Sequence, residues 1–576
     1  MTRDLRRLAA ALASALAATG CSSDFGITPQ RGLSLGQSNS GSGAQTVRLE
    51  GGSTGADYYA ILVNTSGTDG ASEQYTVQTT GAIAPTTMLA PIGDSRLTRL
   101  ATPDGDVDAA PSLDQALETR VRSRERRELT PRIAGARAWM ASRTPGSSTI
   151  SGANETRSFD VARRDAALPS GVKVGDLVTV NVNGNDPCSN PVYHAARVTA
   201  IGTHAIVLAD TLNPLGGFTT ADFQRFAARF DTLVYPLDSA AFGPPTDIDG
   251  NGHVGLVFTR AVNELTPANV SWYFGGFTFV RDLFPIAGSA SFQGCPGSNE
   301  GEYFYLLTPD PSGTINGNVR TAGFVDTSTT AVIAHEFQHL INASRRMYVN
   351  NAMVFEETWL DEGLAHVAEE LLFYREAGLR PKSNIDTPQI RASSQRMTAF
   401  NLDMVGNSDR YHTYLKAPAR SSPYAAYDSL STRGAAWSLL RYLADRSGRS
   451  DNAFFFALAN GTTSGLANLK TVYGADVAGA VRDWSASHAV DELVSTTPEL
   501  QQPSWNWHSV HATIYGSYPL AVQVLADGAA SSGSVVPGGA AYYRLAVPAG
   551  TSATLSLAAP SATAGTNLQL VVVRTR

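Results

Sequence analysis

The chain contains one long apolar segment with helical spacing, which reads TAVIAHEFQHLIN from Thr330 to Asn342. On an α-helix His335 and His339 lie one turn apart on the same face, so both imidazoles can reach one Zn²⁺ at about 2.0–2.1 Å. Glu336 is rotated by about 100° from His335, which places it close enough to take a proton from a water at the metal without being a ligand. The segment therefore predicts a helix that carries two zinc ligands and a general base.

A catalytic zinc site normally needs a third protein ligand and keeps a fourth position open. The spacing HExxHxxGxxH is not present, because Asn342 and Arg345 occupy the glycine and histidine positions. Instead a second segment of helical spacing, EETWLDEGLAHVAEE, begins at Glu356. The residues of this segment that could complete the site are Glu356, Glu357, Glu362, His366 and Glu369.

Trp359 to Gly363 reads WLDEG and resembles the W-L-N-E-G segment of gluzincin metallopeptidases, whose glutamate is the third zinc ligand. The pair HEFQHLIN and WLDEGLAHVAEE is similar to the hyicolysin-like family of secreted bacterial metallopeptidases within that group. This resemblance covers roughly residues 230–446 and is specific only at the two helices. Residue by residue it carries over His335, Glu336, His339 and Glu362.

The resemblance implies a neutral zinc endopeptidase that acts on proteins or peptides, with a mixed β-sheet followed by a helical subdomain. Glu362 is then the third ligand, 23 positions after His339 (362 − 339), and the connecting loop is longer than in thermolysin-like members. With Glu362 as ligand, His366 is expected beside the site and Glu369 is expected to orient a ligand.

Hydrolysis also needs a donor for the charge that develops on the scissile carbonyl, typically His, Tyr or Arg. The candidates in or near the loop before a predicted helix at 433–447 are Tyr411, His412, Tyr424, Tyr427 and Arg433. We prefer Tyr427 and Arg433 as catalytic residues because they approach the start of that helix, where Gly434 permits close approach of a neighbouring chain segment.

A second metal motif reads DIDGNG from Asp247 to Gly252 and resembles the first half of a calcium loop. Its oxygen ligands would be Asp247, Asp249 and Asn251 at loop positions 1, 3 and 5, with glycine at position 6. Position 12 is Phe258 instead of the bidentate glutamate that an EF-hand requires. The motif leaves two interpretations open, a Ca²⁺ site and a tight turn before a strand at 254–258.

The first residues have the composition of an export signal. Three arginines precede an apolar run at 8–18, which is too short to span a bilayer as a mature helix. Residues 18–21 read ATGC and resemble a bacterial lipobox, so we expect a lipoprotein signal peptide at 1–20, lipidation of Cys21 and a flexible tether at 21–45. This predicts a membrane-anchored protein of the bacterial cell envelope; an ordinary signal peptide with an incidental cysteine is the alternative.

The chain has three cysteines. Lipidation of Cys21 would leave Cys188 and Cys295 as a disulfide in an oxidising compartment, and two unpaired buried thiols are the alternative.

Composition and patterning predict an α+β protein of several domains. The net charge of −7 and the 16% of charged residues argue against a nucleic-acid partner. Strand patterns dominate near both termini and at 177–208, and helical spacing dominates at 328–346, 356–377, 433–447, 452–459 and 475–491. We expect a small β domain at 46–100, a helical or linker segment at 101–157, a catalytic domain at 158–495 and a β-sandwich-like domain at 505–576.

The function expected from these patterns is that of an exported, lipid-anchored zinc metallopeptidase. A surface-binding or adhesion lipoprotein with a degenerate protease domain is one alternative, although the intact Glu336 argues against it. A zinc hydrolase of glycans or esters is another, because the ligands themselves do not select peptides.

Overall fold

The structure is a computed structural model and describes residues 32–67, 71–85, 122–142, 168, 171–270, 272–290, 292–559 and 567–576. The expected signal peptide and Cys21 lie outside these residues. The described chain is a mixed α+β structure, in which a six-stranded sheet and a helical region share one core and a β-sandwich packs beside them.

The six-stranded sheet is mixed. Its strands are, in spatial order, Leu177–Asn181, Tyr193–Ile201, Ala205–Asp210, Val254–Phe258, Tyr303–Leu306 and Gly276–Phe277. The pairs around Val254–Phe258 are parallel, and every residue of this strand is buried. A continuous apolar run is what a strand covered on both faces requires, so the sequence pattern and the central position of the strand agree.

Two long helices follow the sheet. The first, here called the histidine helix, is Ala322–Ser344, and the second, the glutamate helix, is Thr358–Ala377. The histidine helix begins six residues before the predicted start, because the Thr321 side chain accepts a hydrogen bond from the Phe324 amide and caps it. Gly378, with a left-handed φ of 62°, ends the glutamate helix.

A third helix, the arginine helix Leu430–Arg446, packs across the glutamate helix and against the helix Val405–Lys416. A side chain on Gly434 would place its Cβ 2.3 Å from the backbone carbonyl carbon of Arg410, so only glycine allows this approach. The described chain also contains the helices Ile133–Ser142, Thr220–Arg229, Tyr235–Phe242, Arg260–Leu265, Thr387–Arg391, Ser394–Ala399, Asp451–Ala459, Gly465–Tyr473, Val477–Val490 and Trp507–Tyr515.

The two terminal β regions combine into one sandwich. The five-stranded sheet has the order Ser38–Ser42, Leu568–Arg574, Ala56–Asn64, Ala540–Val547 and Val522–Val524. The four-stranded sheet has the order Ala530–Val535, Glu73–Thr80, Ser552–Ala558 and Gln45–Glu50. Both sheets combine strands from residues 38–80 with strands from residues 522–574, whereas the sequence suggested separate domains at 46–100 and 505–576.

Three boundaries expected from local composition differ from the structure. Residues 38–42, expected in a flexible tether, form an edge strand. Their Ser and Gly residues have low strand propensity, but pairing with the strand Leu568–Arg574 supplies the backbone hydrogen bonds of a sheet. The segment 505–521 contains the helix Trp507–Tyr515, whose Trp507 is buried in the main core, so strands of the tail begin only at Val522. Residues 122–142 also join this core, before the expected start of the catalytic domain, through Leu129 and Ile133.

Cys188 and Cys295 are joined by a disulfide. It connects the segment after the first strand of the mixed sheet to the segment before the strand Tyr303–Leu306. Within the described residues, no helix is both long enough and apolar enough to cross a bilayer.

Candidate metal centre

The HExxH residues lie on the buried part of the histidine helix. His335 is 8% exposed and His339 is 2% exposed, so the site touches solvent mainly through His335. Phe337 of this helix lies in the same core as buried residues of the mixed sheet, and its ring meets Phe230 of a neighbouring helical turn edge to face at 4.9 Å. The Thr278 hydroxyl donates a hydrogen bond of 2.9 Å to the backbone carbonyl of Glu336, which ties the helix to the edge of the sheet.

Three side-chain ligand atoms converge between the two helices. The Nε2 atoms of His335 and His339 are 3.2 Å apart. Glu362 places Oε2 3.4 Å from Nε2 of His335 and Oε1 3.6 Å from Nε2 of His339. Ligands of a tetrahedral zinc ion, each at about 2.0–2.1 Å, are about 3.3–3.4 Å apart. The three side chains therefore have the separations that one zinc ion requires.

Each histidine has a carboxylate at its outer nitrogen. Nδ1 of His335 is 2.7 Å from Oε1 of Glu369, and Nδ1 of His339 is 3.0 Å from Oδ2 of Asp361. Asp361 is itself held by a 2.6 Å hydrogen bond from the side-chain amide of Asn342. Carboxylates at these positions fix the ring orientation and leave Nε2 to face a metal, which is the arrangement seen around zinc-bound histidines.

The charges of the centre call for a cation between the ligands. Burial raises the pKa of the Glu362 carboxyl, but Arg433, His339 and His335 outweigh burial and hold that pKa well below its usual range. Both carboxylate oxygens of Glu362 are buried and accept no hydrogen bond from the described residues. Burial lowers the pKa of His335, but Glu362 and Glu369 raise it to about 10. Metal binding requires the neutral imidazole, so a divalent cation would compete with protons for this ligand.

Arg433 is part of this centre. Its Nη1 lies 3.3 Å from Oε2 of Glu362, and its other guanidinium nitrogens donate to both oxygens of Asp428 at 2.8 and 2.5 Å. The bidentate bond fixes the guanidinium plane, so its charge stays beside the glutamate.

The other candidate donors have surroundings that differ from those of Arg433. Tyr427 is 51% exposed, and no hydrogen bond in the described part of the chain joins it to them. The Tyr424 hydroxyl donates to the Ser66 carbonyl at 2.8 Å, and Tyr411 is buried among aromatic rings. His412 is half-buried and lies against Tyr515 with ring centroids 3.9 Å apart. Tyr411 and Tyr424 pack the core.

The alternatives for the third ligand have other partners. Glu356 forms a buried ion pair with Arg346 at 3.0 Å, and Glu357 accepts a hydrogen bond of 2.8 Å from the Trp359 indole. His366 lies behind the site, with Nδ1 3.1 Å from Oε1 of Glu369. Burial, followed by repulsion from Arg410, lowers the pKa of His366 to about 3.

His335, His366 and Glu369 also form a set that could hold a metal, since their ligand atoms lie within 4.8 Å of one another. Because His335 belongs to both sets, the two sets are not independent metal sites. The calcium motif forms a loop before the strand Val254–Phe258, with Asp247 exposed and Asp249 half-buried.

Sequence reasoning missed Asp361 and Asp428. Asp361 immediately precedes Glu362, and Asp428 lies five positions before Arg433. Adjacency to a ligand was the available signal for Asp361, but acidic residues beside helix starts are common and do not indicate what they bind.

The site defines a class of protein, one with a two-histidine, one-glutamate metal centre of the kind that zinc hydrolases use. Over 214 residues the chain is 27% identical to the neutral metalloprotease ShpI of Staphylococcus hyicus. The match spans 36% of this chain and 43% of that relative, so less than half of the relative's length is covered. No protein-family profile matches the chain. The chain is thus related to a metalloprotease and contains three residues that could hold a metal ion.

Proposed function

We propose that this protein is a zinc metallopeptidase that hydrolyses peptide bonds in proteins or peptides. The observation that carries the proposal is the convergence of His335, His339 and Glu362 at 3.2–3.6 Å, next to a glutamate one position from the first histidine. The partial identity to a metalloprotease supports peptides as the substrate class.

Zinc bound by these three residues would polarise a scissile carbonyl and acidify a water molecule. Glu336 accepts the proton of the attacking water and then delivers it to the leaving amine. Its carboxylate suits this role because Oε2 is buried and accepts no hydrogen bond from the described residues. Glu369 and Asp361 lie at Nδ1 of His335 and His339 and orient the two imidazoles so that Nε2 of each can face the metal.

Glu336→Gln should retain zinc and lose casein hydrolysis, because the amide keeps the shape of the side chain but cannot accept the proton. His335→Ala should lose the zinc itself, measured by metal analysis after dialysis. Glu357→Gln, on the neighbouring helix start and away from the ligands, is the control and should keep both properties. Casein cleavage by the Glu336 variant at the wild-type rate would reject Glu336 as the base.

Arg433 is proposed to act by positioning Glu362, while Tyr427 stays a prediction as the donor to the substrate carbonyl. Arg433→Met should lower zinc affinity as well as kcat, because Glu362 loses the guanidinium contact that fixes the position of its carboxylate. Tyr427→Phe should lower kcat for casein peptides and leave zinc content unchanged. An unchanged kcat would remove Tyr427 from the mechanism.

The same assay separates the alternative functions. A binding or adhesion protein would hold zinc without cleaving casein, and a glycan or ester hydrolase would cleave its own substrates instead. Chelator-sensitive cleavage of denatured casein, with the cut sites mapped by mass spectrometry, supports the peptidase.

We further propose that the protein is exported to the bacterial cell envelope and anchored through Cys21. The disulfide between Cys188 and Cys295 supports an oxidising compartment. Expression in a bacterial host followed by fractionation should place the protein with membranes, and Cys21→Ser should release it from them. Equal membrane association of the variant would contradict the anchor.

A further inference from the structure

A third carboxylate, from a part of the chain distant in sequence, lies beside the two aspartates of the DIDGNG loop. Carboxylate oxygens of Asp247, Asp249 and Glu302 all lie within 4.8 Å of one another. Glu302 immediately precedes the strand Tyr303–Leu306, which pairs with the strand that follows the loop, with Tyr303 opposite Gly255. This parallel pairing brings Glu302 to the loop although 53 residues separate it from Asp249 (302 − 249).

Glu302 points at the loop with one oxygen unused. It is 3% exposed, and its Oε1 accepts a hydrogen bond of 2.7 Å from the Ile248 amide inside the loop. Its Oε2 is buried and has no hydrogen-bond partner among the described residues. A buried carboxylate oxygen without a partner is costly unless it is protonated or meets a cation.

The loop itself is arranged around its carboxylates. The backbone amides of Gly250, Asn251 and Gly252 all donate to Asp247, and Gly252 has the left-handed φ of 75° that position 6 of a calcium loop needs. The Asn251 side chain is engaged within the loop, because its Oδ1 accepts from the His253 amide at 2.6 Å. The third acidic oxygen therefore comes from Glu302.

We propose that Asp247, Asp249 and Glu302 bind one Ca²⁺, with Glu302 in the place of the glutamate that closes an EF-hand loop. Calcium takes oxygen ligands at about 2.3–2.6 Å, so oxygens on opposite sides of one ion are about 4.6–5.2 Å apart, which the observed spread satisfies. Every ligand of the set is a hard oxygen, which favours Ca²⁺ over Zn²⁺.

Electrostatics support a cation at this place. Burial, Asp249 and Asp247 all raise the pKa of the Glu302 carboxyl well above its usual value. Three carboxylates within this distance repel one another when ionised, and a divalent ion removes that repulsion.

The site would brace the catalytic region. Thr246, directly before the loop, donates from its amide to Oγ of Ser344 and from its hydroxyl to the Ser344 carbonyl, both at 3.3 Å. Ser344 ends the histidine helix. Calcium would thus hold together the loop, two strands of the mixed sheet and the end of the helix that carries His335 and His339.

The test is calcium titration of the zinc-loaded full-length protein by calorimetry, together with thermal unfolding in calcium, magnesium and chelator. Wild type should bind one calcium and unfold at a higher temperature with calcium than with equal magnesium. Glu302→Gln and Asp247→Asn should each weaken calcium binding by at least about tenfold, because affinity follows the number of charged ligands. Glu264→Gln, which removes an exposed carboxylate paired with Arg260, should bind calcium like wild type.

A second readout separates the site from simple protonation of Glu302. In chelator, Glu302→Gln should unfold at the same or a higher temperature than wild type, since it removes a buried carboxylate with an unsatisfied oxygen. In calcium the order should reverse. Absence of calcium binding to wild type at millimolar concentration, or wild-type affinity in the Asp247 variant, would overturn the proposal. Asp247→Asn keeps one side-chain oxygen that can still accept from the loop amides, so this variant tests the loss of charge.

Discussion

At the scale of single residues, the centre depends on carboxylates that do not touch the metal position. Glu369 is shared between His335 at 2.7 Å and His366 at 3.1 Å. Burial raises its pKa, but His366 and His335 hold the pKa of this carboxyl well below its usual range. It therefore faces His335 as a full negative charge, which strengthens the imidazole as a metal ligand.

Glu369→Gln should lower zinc affinity by about 10–100-fold, because loss of such an outer partner usually costs that much. Competition with a chromogenic chelator measures the affinity. Glu376→Gln, on the same helix but paired with Arg229 at 2.7 Å, is the matched control. Equal zinc affinity of the Glu369 variant and the control would show that the hydrogen bond to His335 is not needed for binding.

Asp491, which is not part of the metal centre, makes the stability of the fold depend on pH. Burial, followed by repulsion from Glu492, raises its pKa to about 7 from 3.8. Between these pH values the folded chain binds more protons than the unfolded chain, so stability falls as pH rises. The contribution is fully present below about pH 4 and lost above about pH 7.

Asp491→Asn should remove this dependence. Urea unfolding at pH 5 and pH 8 should show a smaller loss of stability with rising pH in the variant than in wild type. Comparing the variant with wild type at each pH cancels the other titrating groups. Parallel pH profiles for the two proteins would contradict the assignment.

At the scale of elements, the site depends on how closely helices approach. The arginine helix delivers Arg433 to Glu362, and Gly434 lies on the helix directly beside it. Because a Cβ at Gly434 would meet the backbone of Arg410 at 2.3 Å, any side chain must push the two helices apart.

Gly434→Ala should destabilise the protein by about 1–3 kcal/mol and lower zinc affinity, since overpacking shifts the backbone that carries Arg433. Gly323→Ala is the matched control, because its Cβ would meet nothing within 4 Å. The control should be neutral or slightly stabilising, by about 0.5–1 kcal/mol, as alanine favours a helix over glycine. Equal stability of the two variants, by chemical denaturation, would refute the close contact.

At the scale of the whole molecule, strands from residues 38–80 and from residues 522–574 meet in the β-sandwich, which packs on the helical region. The strand Leu568–Arg574 lies between Ser38–Ser42 and Ala56–Asn64. Its Val571 and Val573 are buried in the main core together with residues of the helix Val477–Val490. The last strand therefore links the sandwich to the helical region.

A chain that ends at Ala559 should expose the apolar faces of the sandwich, bind a hydrophobic dye and become sensitive to proteolysis within residues 32–85. A chain that ends at Thr575 is the control, because it loses only the contacts of its last residue. These are the ion pair of the half-exposed Arg576 with Asp57 and the hydrogen bonds that the Arg576 carbonyl accepts from the Asp57 amide and from Nε of Arg574. Limited proteolysis followed by mass spectrometry distinguishes them. Resistance of the shorter chain would show that the first strands fold without the last one.

Spacing along the chain was sufficient to predict the elements that carry the site. The helix predictions at 356–377, 433–447, 452–459 and 475–491 are confirmed to within three residues at each end. The strand at 254–258 is confirmed at both ends. These elements could be predicted because hydrophobic periodicity and helix caps depend on residues close together in the sequence. For the same reason the sequence predicted that His335, Glu336 and His339 lie on one helix.

Contacts between distant residues could not be read from spacing. Asp428 and Arg433 meet Glu362, and Glu302 meets the DIDGNG loop, only because separate helices and strands pack together. The pairing of strands from residues 38–80 with strands from residues 522–574 could not be predicted either, because a strand pattern does not specify which strand it pairs with. Periodicity therefore determined the helices and strands, whereas burial of their apolar faces against one another decided which charges became neighbours.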